Sequence, residues 1–361
     1  MARQGVLDLG AYIPGKSITA VKDEYGLEAV TKLASNECAL PLPEKVLHVV
    51  RAEAYNLCRY PDGHCDKLRS RVAALLGIAP DCLLFGNGSE ECIRLIGQAF
   101  LNPGDTGLIP SPIFDAYDTA IRIPGGQVVR IPLKDFRIDL ESILAKVDRR
   151  TKIIWLCSPS NPFGPIIRRE AFEHFLDRLP ENILVVLDEA YREFVSSNDA
   201  AHAIDYLGKD ARVIGLRTFS KAYGLAGLRV GYVVAHPSVT KIISSVKLPF
   251  NVNVLAQAAA LCMLDEKTFV NHHVSMIREE RLLLRKAFED RGFRVIPSEA
   301  NFLFVELPIE SDALFNQLLS KGFIIRPGSI WGLNRFIRLT VGIREQNAGF
   351  LKQLDEVLRN H

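Results

Sequence analysis

Short apolar runs alternate with helix-length amphipathic segments through the middle of the chain. Each run is short enough for a single strand, and the segments between them are long enough for a helix. The seven runs lie at residues 82–85, 107–109, 128–131, 153–156, 183–187, 213–216 and 231–234. Strands without a polar face, separated by helices, are typical of a mostly parallel sheet covered on both sides. The pattern predicts an α/β fold for this part of the chain.

The pattern changes after Asn253. Helical segments are predicted at 256–264, 274–291, 312–321 and up to Asn360, and strand-like runs at 302–305, 323–325 and 336–339. We expect a large domain over 37–258 and a smaller α+β domain over 259–361, with a site in the cleft between them. Residues 1–36 are predicted to be an N-terminal arm that packs on the small domain or on a neighbouring subunit.

Length and charge narrow the class of protein. The 361 residues allow two domains. Lys and Arg number 44 and Asp and Glu 42, so the net charge of +2 argues against binding to nucleic acid or anionic lipid through bulk charge. No apolar run approaches the ~20 residues that span a bilayer, and the start of the chain lacks the apolar segment of a secretory signal. We therefore expect a cytoplasmic protein.

The seven cysteines, an odd number without any C-x-x-C pair, favour reduced thiols over a disulfide framework. We expect neither a zinc site nor any other metal site.

Two polar segments follow predicted strands, where ligands collect in open α/β sheets. Gly86–Glu91 is a glycine-rich turn that opens an amphipathic helix, and such a turn suits a phosphate. Alternatively, Asn87 only caps that helix. Asp188 follows the run 183–187, where it either faces a cationic partner or caps the next helix.

A third polar segment, Arg217–Arg229, follows the run 213–216 and contains Lys221 flanked by hydroxyl residues. A lysine in a cleft is a nucleophilic amine if burial or nearby cations lower its pKa, whereas a solvated lysine is inert. A phosphate turn, a strand-end acid and a lysine are together the groups that a pyridoxal phosphate site needs.

These segments resemble the fold-type I pyridoxal phosphate aminotransferases and, within them, the histidinol-phosphate aminotransferase family. The resemblance covers nearly the whole chain and implies a large domain with a mostly parallel seven-stranded sheet plus a smaller α+β C-terminal domain. Further segments that fit the family are Tyr12–Lys16, Lys32–Glu37, Arg59–Gly63, Pro249–Asn253, Ala300–Leu303, Ile325–Pro327 and Ile337–Gly342.

The resemblance implies a pyridoxal 5'-phosphate site. Lys221 would hold the cofactor covalently and later act as the base, and Asp188 would pair with the pyridinium nitrogen. Tyr191 and Asn161 would hydrogen-bond the 3-oxygen of the ring, and Tyr117 would stack on the ring unless it is a core residue. The phosphate would be held by Gly88, Ser89, Thr218, Ser220 and Arg229.

The resemblance also implies a substrate site and a homodimer. Arg338 would bind the acidic end of the substrate with Arg326 beside it, although Arg326 could instead form an interface ion pair. Tyr60 would reach over from the second subunit, and Asn36 is a further candidate. Two departures from the family pattern, Phe163 and Cys38–Leu40, lie where we expect substrate to be sensed.

The implied reaction is amino transfer from L-histidinol phosphate to 2-oxoglutarate in histidine biosynthesis, giving imidazole-acetol phosphate and glutamate. Alternatives on the same fold are a threonine-phosphate decarboxylase and an aromatic amino acid aminotransferase. A non-catalytic cofactor-sensing regulator is disfavoured, because we see no DNA-binding module ahead of the arm. A nicotinamide-dependent dehydrogenase is disfavoured because Gly86-x-Gly88 lacks the third glycine of that fingerprint.

Overall fold

The computed structural model describes residues 4–7, 9 and 15–359. The strands are β1 (Thr31–Lys32), β2 (Leu83–Gly86), β3 (Thr106–Ser111), β4 (Gln127–Pro132), β5 (Thr151–Cys157), β6 (Leu184–Asp188), β7 (Val213–Thr218), β8 (Gly231–Val234), β9 (Arg294–Ile296), β10 (Phe302–Glu306), β11 (Phe323–Ile324), β12 (Arg326–Pro327) and β13 (Phe336–Thr340). The α-helices are α1 (Gln4–Leu7), α2 (Ile18–Tyr25), α3 (Glu44–Glu53), α4 (Asp66–Leu76), α5 (Ser89–Phe100), α6 (Ala116–Arg122), α7 (Leu140–Leu144), α8 (Arg169–Arg178), α9 (Pro237–Ser244), α10 (Val254–Met263), α11 (Lys267–Glu289), α12 (Ser311–Ser320) and α13 (Arg344–Arg359).

Seven strands form the large sheet in the order β2-β8-β7-β6-β5-β3-β4. All run parallel except β8, which pairs antiparallel with both β7 and β2. The connection from β7 to β8 has only turns and the short 3₁₀ helix Ala226–Leu228, so the chain returns without the crossover that a parallel strand requires. The predicted mostly parallel seven-stranded sheet is confirmed, with each predicted apolar run in one strand.

Alternation along the strands builds one core on each face of this sheet. Trp155 and Val186 pack with the apolar side of α5. Their neighbours Ile154 and Val185 point the other way and pack with Phe172 of α8. Because both faces are buried, the strands carry no alternation of apolar and polar residues.

A second, antiparallel sheet has the order β12-β13-β10-β9 and packs with α11 and α13. The N-terminal strand β1 pairs in parallel with β11, and Val21 packs with Leu319 and Ile324. The C-terminal part thus has the predicted α+β content. Helix α2 and strand β1 of the N-terminal segment lie on it, whereas Gly5 of α1 lies beside the Arg122 carbonyl of α6. The domain boundaries themselves remain a prediction.

Within residues 4–7, 9 and 15–359, no helix combines the length and the apolar character needed to cross a membrane.

Candidate active site

A cavity of about 270 Å³ lies between the two sheets. One wall is formed by residues at or just after the carboxyl ends of β3, β5, β6 and β7 and by the start of α5, and the opposite wall by residues of β12, β13 and the turn between them. The extended segment 34–37 lines the cavity as well. The site therefore lies where parallel strands end, as expected for an open α/β sheet.

Asp188 is the last residue of β6 and is buried, with 3% of its surface exposed. Its Oδ1 accepts the N–H of Ala190 at 3.0 Å, and its Oδ2 accepts the hydroxyl of Tyr117 at 2.8 Å. Burial raises the pKa of the Asp188 carboxyl to about 6, while these two hydrogen bonds favour the ionised form. A buried acid with neutral donors is well suited to a cationic ligand group.

Lys221 lies three residues beyond the end of β7, in the turn that leads to β8. Its Nζ donates to the carbonyl oxygen of Ser35 at 3.0 Å. Burial, reinforced by the positive charge of Arg338, lowers the pKa of the Lys221 ammonium to about 8. A much larger fraction of this amine is therefore neutral, and nucleophilic, near pH 7 than of an ordinary lysine.

Hydroxyls and an arginine gather at the start of α5. The Thr218 hydroxyl donates to Ser220 Oγ at 3.0 Å, and both residues line the cavity with Ser89 and Arg229. Gly88 precedes the helix with φ +80°, and a Cβ there would lie 2.6 Å from Nη2 of Arg229. A glycine is thus needed for Arg229 to approach the helix N-terminus, where free N–H groups favour an anion.

Arg338 of β13 and Arg326 of β12 lie side by side in the second sheet, because they are register partners on neighbouring strands. Arg338 donates to Asn161 Oδ1 and to the Ala34 carbonyl, both at 2.6 Å. Its guanidinium also lies over the rings of Phe302 and Trp331, 5.5 and 5.4 Å from the ring centroids. Like charges on directly opposite residues are unfavourable in a sheet unless an anion joins them.

Asn36 links the two sheets. Its Nδ2 donates to the Tyr191 hydroxyl at 3.0 Å, and its backbone N–H donates to Thr340 Oγ1 at 2.9 Å. Its backbone carbonyl accepts from Asn301 Nδ2 at 3.1 Å. The structure thus brings Asn36 and Tyr191 together beside Lys221, whose Nζ is 5.9 Å from the Tyr191 ring centroid.

Tyr117 is a buried residue that borders the cavity. Its side chain has 0% exposure, and its ring stacks on Trp155 with the centroids 5.4 Å apart and the planes at 14°. Its hydroxyl donates a hydrogen bond to Asp188. The more accessible aromatic ring on this segment is that of Phe114, which lines the cavity and meets Tyr117 edge-on at 5.8 Å. Tyr117 borders the cavity as well, so its stacking on the cofactor ring stays a prediction, because spacing alone does not say which of the two rings meets the cofactor.

The structure does not bring Tyr60 into the cavity of its own chain. Tyr60 is 83% exposed and stacks on Phe250 at 4.7 Å. Tyr12, Ile13 and Pro14 of the family's opening motif lie outside the described residues.

The two departures from the family pattern do not line the cavity. Phe163 is 1% exposed and packs edge-on against Phe304 at 4.9 Å. Cys38 lies behind the cavity, 3.6 Å from His273 Nδ1, and only its neighbour Glu37 faces inward. Phe163 and Cys38 thus lie outside the lining of the cavity, and any influence on the choice of amino donor would act through neighbouring residues.

The residues present fit pyridoxal phosphate. A half-buried amine, a buried acid and an anion cradle at a helix N-terminus share one cavity, in the combination that this cofactor needs. Gly88 has φ +80°, a backbone conformation that residues with a Cβ rarely adopt, and a Cβ there would also lie 2.6 Å from Nη2 of Arg229. The acid also remains without a cationic hydrogen-bond donor among the described residues.

Sequence reasoning missed several contributors to the site, among them Phe114, which borders the cavity. The carbonyls of Ala34 and Ser35 hold Arg338 and Lys221, but backbone groups leave no signal in residue type. Trp331 was also missed, although its position shortly after Arg326-Pro327 and before the predicted strand of Arg338 could have indicated it.

Comparison with known proteins gives consistent matches over almost the full length. Residues 28–354 match the family model for aminotransferase class I and II. A histidinol-phosphate aminotransferase of Moorella thermoacetica is 40% identical over 358 residues, covering 99% of this chain and 92% of that protein. That of Caldicellulosiruptor saccharolyticus is 38% identical, covering 99% and 100%.

Among solved structures, the histidinol-phosphate aminotransferase from Sinorhizobium meliloti in complex with pyridoxal-5'-phosphate superposes with a TM-score of 0.90. It is 28% identical, and the match covers 99% of this chain and 97% of that one. The chain belongs to the aminotransferase class I and II family and, within it, to the histidinol-phosphate aminotransferases.

Proposed function

We propose that the protein transfers the amino group of L-histidinol phosphate to 2-oxoglutarate, with pyridoxal 5'-phosphate as cofactor. The products are imidazole-acetol phosphate and glutamate, and the reaction belongs to histidine biosynthesis in the cytoplasm. The observation that carries this proposal is a single cavity that holds a lysine of lowered pKa, a buried aspartate and two opposed arginines.

The cofactor, when bound, supplies an aldehyde that condenses with amines and an electron-poor ring that accepts the electron pair released when a Cα–H bond breaks. Asp188 would hold the ring nitrogen, and Tyr191 and Asn161 the ring oxygen. Ser89, Thr218, Ser220 and Arg229, together with the backbone at Gly88, would hold the phosphate. Phe114 offers the accessible ring face on the β3 side of the cavity.

Lys221 moves the proton. Its Nζ is neutral in part near pH 7, so it could accept the proton from the substrate Cα and deliver it to C4′ of the cofactor. The Ser35 carbonyl accepts from Nζ and keeps the amine pointed into the cavity. Because the amine is fixed beside Tyr191, the proton moves over a short distance rather than through bulk water.

Arg326 and Arg338 recognise the acidic end of each substrate. Two opposed guanidiniums suit a phosphate dianion on the amino donor, and Arg338 with its fixed orientation suits the carboxylate of 2-oxoglutarate. The same arginine pair thus serves both halves of the reaction.

A homodimer is part of this proposal. Tyr55, Leu57, Tyr60 and Leu248 are 60–89% exposed, and Tyr60 stacks on Phe250 in this surface. Exposed apolar clusters of this kind mark protein interfaces. In this proposal Tyr60, which is exposed on its own chain, would bind substrate in the cavity of the second copy.

The test is the absorption spectrum of the purified holoenzyme, titrated with L-histidinol phosphate without any keto acid. We expect the visible band of the bound cofactor to bleach and to return when 2-oxoglutarate is added. Bleaching by phenylalanine alone would replace the substrate and keep the chemistry. Release of carbon dioxide from threonine phosphate, without need for a keto acid, would indicate the decarboxylase, and absence of any cofactor band would overturn the proposal.

A further inference from the structure

Tyr117 borders the cavity and is hydrogen-bonded to the functional carboxylate, that of Asp188. It belongs to α6, and its hydroxyl donates to Asp188 Oδ2 at 2.8 Å across the interior of the large domain. Both side chains are almost fully buried. A hydrogen bond to an ionised group in such surroundings is among the stronger ones in proteins.

The Tyr117 ring is held from behind. Trp155 of β5 stacks on it with the planes at 14°, and the edge of Phe114 covers its other side. The stacking on Trp155 and the hydrogen bond to Asp188 together orient the Tyr117 hydroxyl. Preorganised donors of this kind act without any rearrangement during the reaction.

The bond has a defined electrostatic effect on Asp188. Burial raises the pKa of the Asp188 carboxyl, and the Tyr117 hydroxyl is the largest of the influences that lower it. Burial also raises the pKa of Tyr117 well above its usual value, so the phenol keeps its proton and remains a donor. The other ionisable groups that interact with this pair among the described residues include Cys157, Cys92, Glu189, Tyr191 and Lys221.

We infer that Tyr117 is a positioning residue whose hydroxyl keeps Asp188 ionised and aimed at the ring nitrogen of the cofactor, and that it is not the residue that stacks on that ring. The inference rests on the proposed function, because it takes the ring nitrogen to lie at Asp188. An ionised Asp188 holds the proton on the ring nitrogen, and that proton makes the ring an electron acceptor. Tyr117 therefore acts on the reaction through Asp188 without touching substrate.

Tyr117→Phe separates the two roles, since it removes the hydroxyl and keeps the ring. The readout is the 15N resonance of the ring nitrogen in holoenzyme prepared with 15N-labelled pyridoxal phosphate, together with cofactor content, kcat and KM. We expect normal cofactor content, with the proton equilibrium between Asp188 and the ring nitrogen shifted toward Asp188 by roughly tenfold or more. The value of kcat should fall by a similar factor, and KM should change less than about twofold.

Phe114→Leu is the matched variant, because it alters the neighbouring ring without touching Asp188. We expect it to weaken cofactor binding and to leave the 15N resonance unchanged. In an Asp188→Asn background, Tyr117→Phe should add less than about a twofold effect, since coupled residues do not act additively.

An unchanged 15N resonance and an unchanged kcat in Tyr117→Phe would overturn the positioning role. Weaker cofactor binding in Tyr117→Leu, with normal cofactor binding in Phe114→Leu, would show that Tyr117 is the ring that stacks on the cofactor and would also overturn the inference. If Tyr117→Phe does not fold, 3-fluorotyrosine placed at position 117 keeps the shape and strengthens the donor. The resonance should then move toward the protonated side, and no movement would contradict the inference. Wild-type protein that binds no cofactor would instead refute the proposed function.

Discussion

The two walls of the cavity are prepared for different tasks. On the large-sheet wall, burial brings protonation within reach of neutral pH, lowering the pKa of Lys221 to about 8 and raising that of Asp188 to about 6. On the second-sheet wall, guanidinium groups stay charged in any case, and Arg338 is fixed by Asn161, Ala34 and two aromatic rings. The large-sheet wall sets the pKa values of its ionisable groups, and the second-sheet wall holds a charged group in a fixed position. This difference indicates that chemistry belongs to the large sheet and recognition to the second.

Replacing Lys221 on the large-sheet wall should have the largest effect on activity. Lys221→Arg keeps a positive charge but removes the nucleophilic amine, so we expect kcat to fall by at least about a thousandfold. Single-turnover bleaching of the cofactor band by L-histidinol phosphate measures the effect. Lys209→Arg, at an exposed position, should be unchanged. A kcat within tenfold of wild type would assign the proton transfer to another group.

Arg338→Lys tests the second wall. It keeps the charge and loses the planar fork that binds an acid at two points, so we expect KM for L-histidinol phosphate and for 2-oxoglutarate to rise by about ten- to a hundredfold. Steady-state kinetics with each substrate varied give both values. Arg335→Lys on the adjoining loop is the control. A rise confined to one substrate would show that the two acidic ends bind separately.

The pH dependence of cofactor capture tests whether the lowered pKa of Lys221 operates. Only the neutral amine reacts, and its fraction rises with pH until about one unit above the pKa. With a pKa of about 8, the capture rate of cofactor-free protein should rise roughly tenfold between pH 7 and pH 9 and then level off. A rate that still climbs toward pH 10.5 would mean an ordinary lysine. Arg338→Gln should move the plateau to higher pH, because the Arg338 charge lowers this pKa.

Phe163→Leu should have the smallest effect on activity. The side chain packs in an aromatic cluster with Phe136 and Phe304, away from the cavity. We expect a loss of about 1–2 kcal/mol in the free energy of unfolding and less than a twofold change in KM. Urea unfolding and steady-state kinetics give the two values, with Phe172→Leu as a matched core variant. A change in KM well above twofold would indicate that Phe163 contributes to substrate binding.

The sequence was most informative where burial imposes a pattern. The run 231–234 coincides with β8, and 213–216 lies within β7, because strands covered on both faces are continuously apolar. The direction of β8 was not predictable from apolarity, which is the same for either direction of the chain. It follows from the short connection that carries Lys221.

The site residues divide in the same way. Lys221, Asp188 and Arg338 were predictable because their chemistry is tied to residue type and to strand ends. The orientations of Tyr117 and Phe163 were not, because each depends on partners distant in sequence, Asp188 and Phe304. The spacing of neighbouring residues along the chain does not indicate side-chain orientations that are set by distant partners.

The link from Asn36 to Thr340 has a consequence for synthesis of the protein. These residues are separated by 304 positions, yet they bond directly and also bridge to Tyr191. During translation the seven-stranded sheet can form once residue 234 has emerged, whereas segment 34–37 has no partner on β13 until nearly the whole chain is made. A ribosome-bound chain stopped before Phe336 should therefore fold its large sheet and lack the wall of the cavity that β13 forms. The capacity to bind substrate should arise only when β13 has been made and has paired.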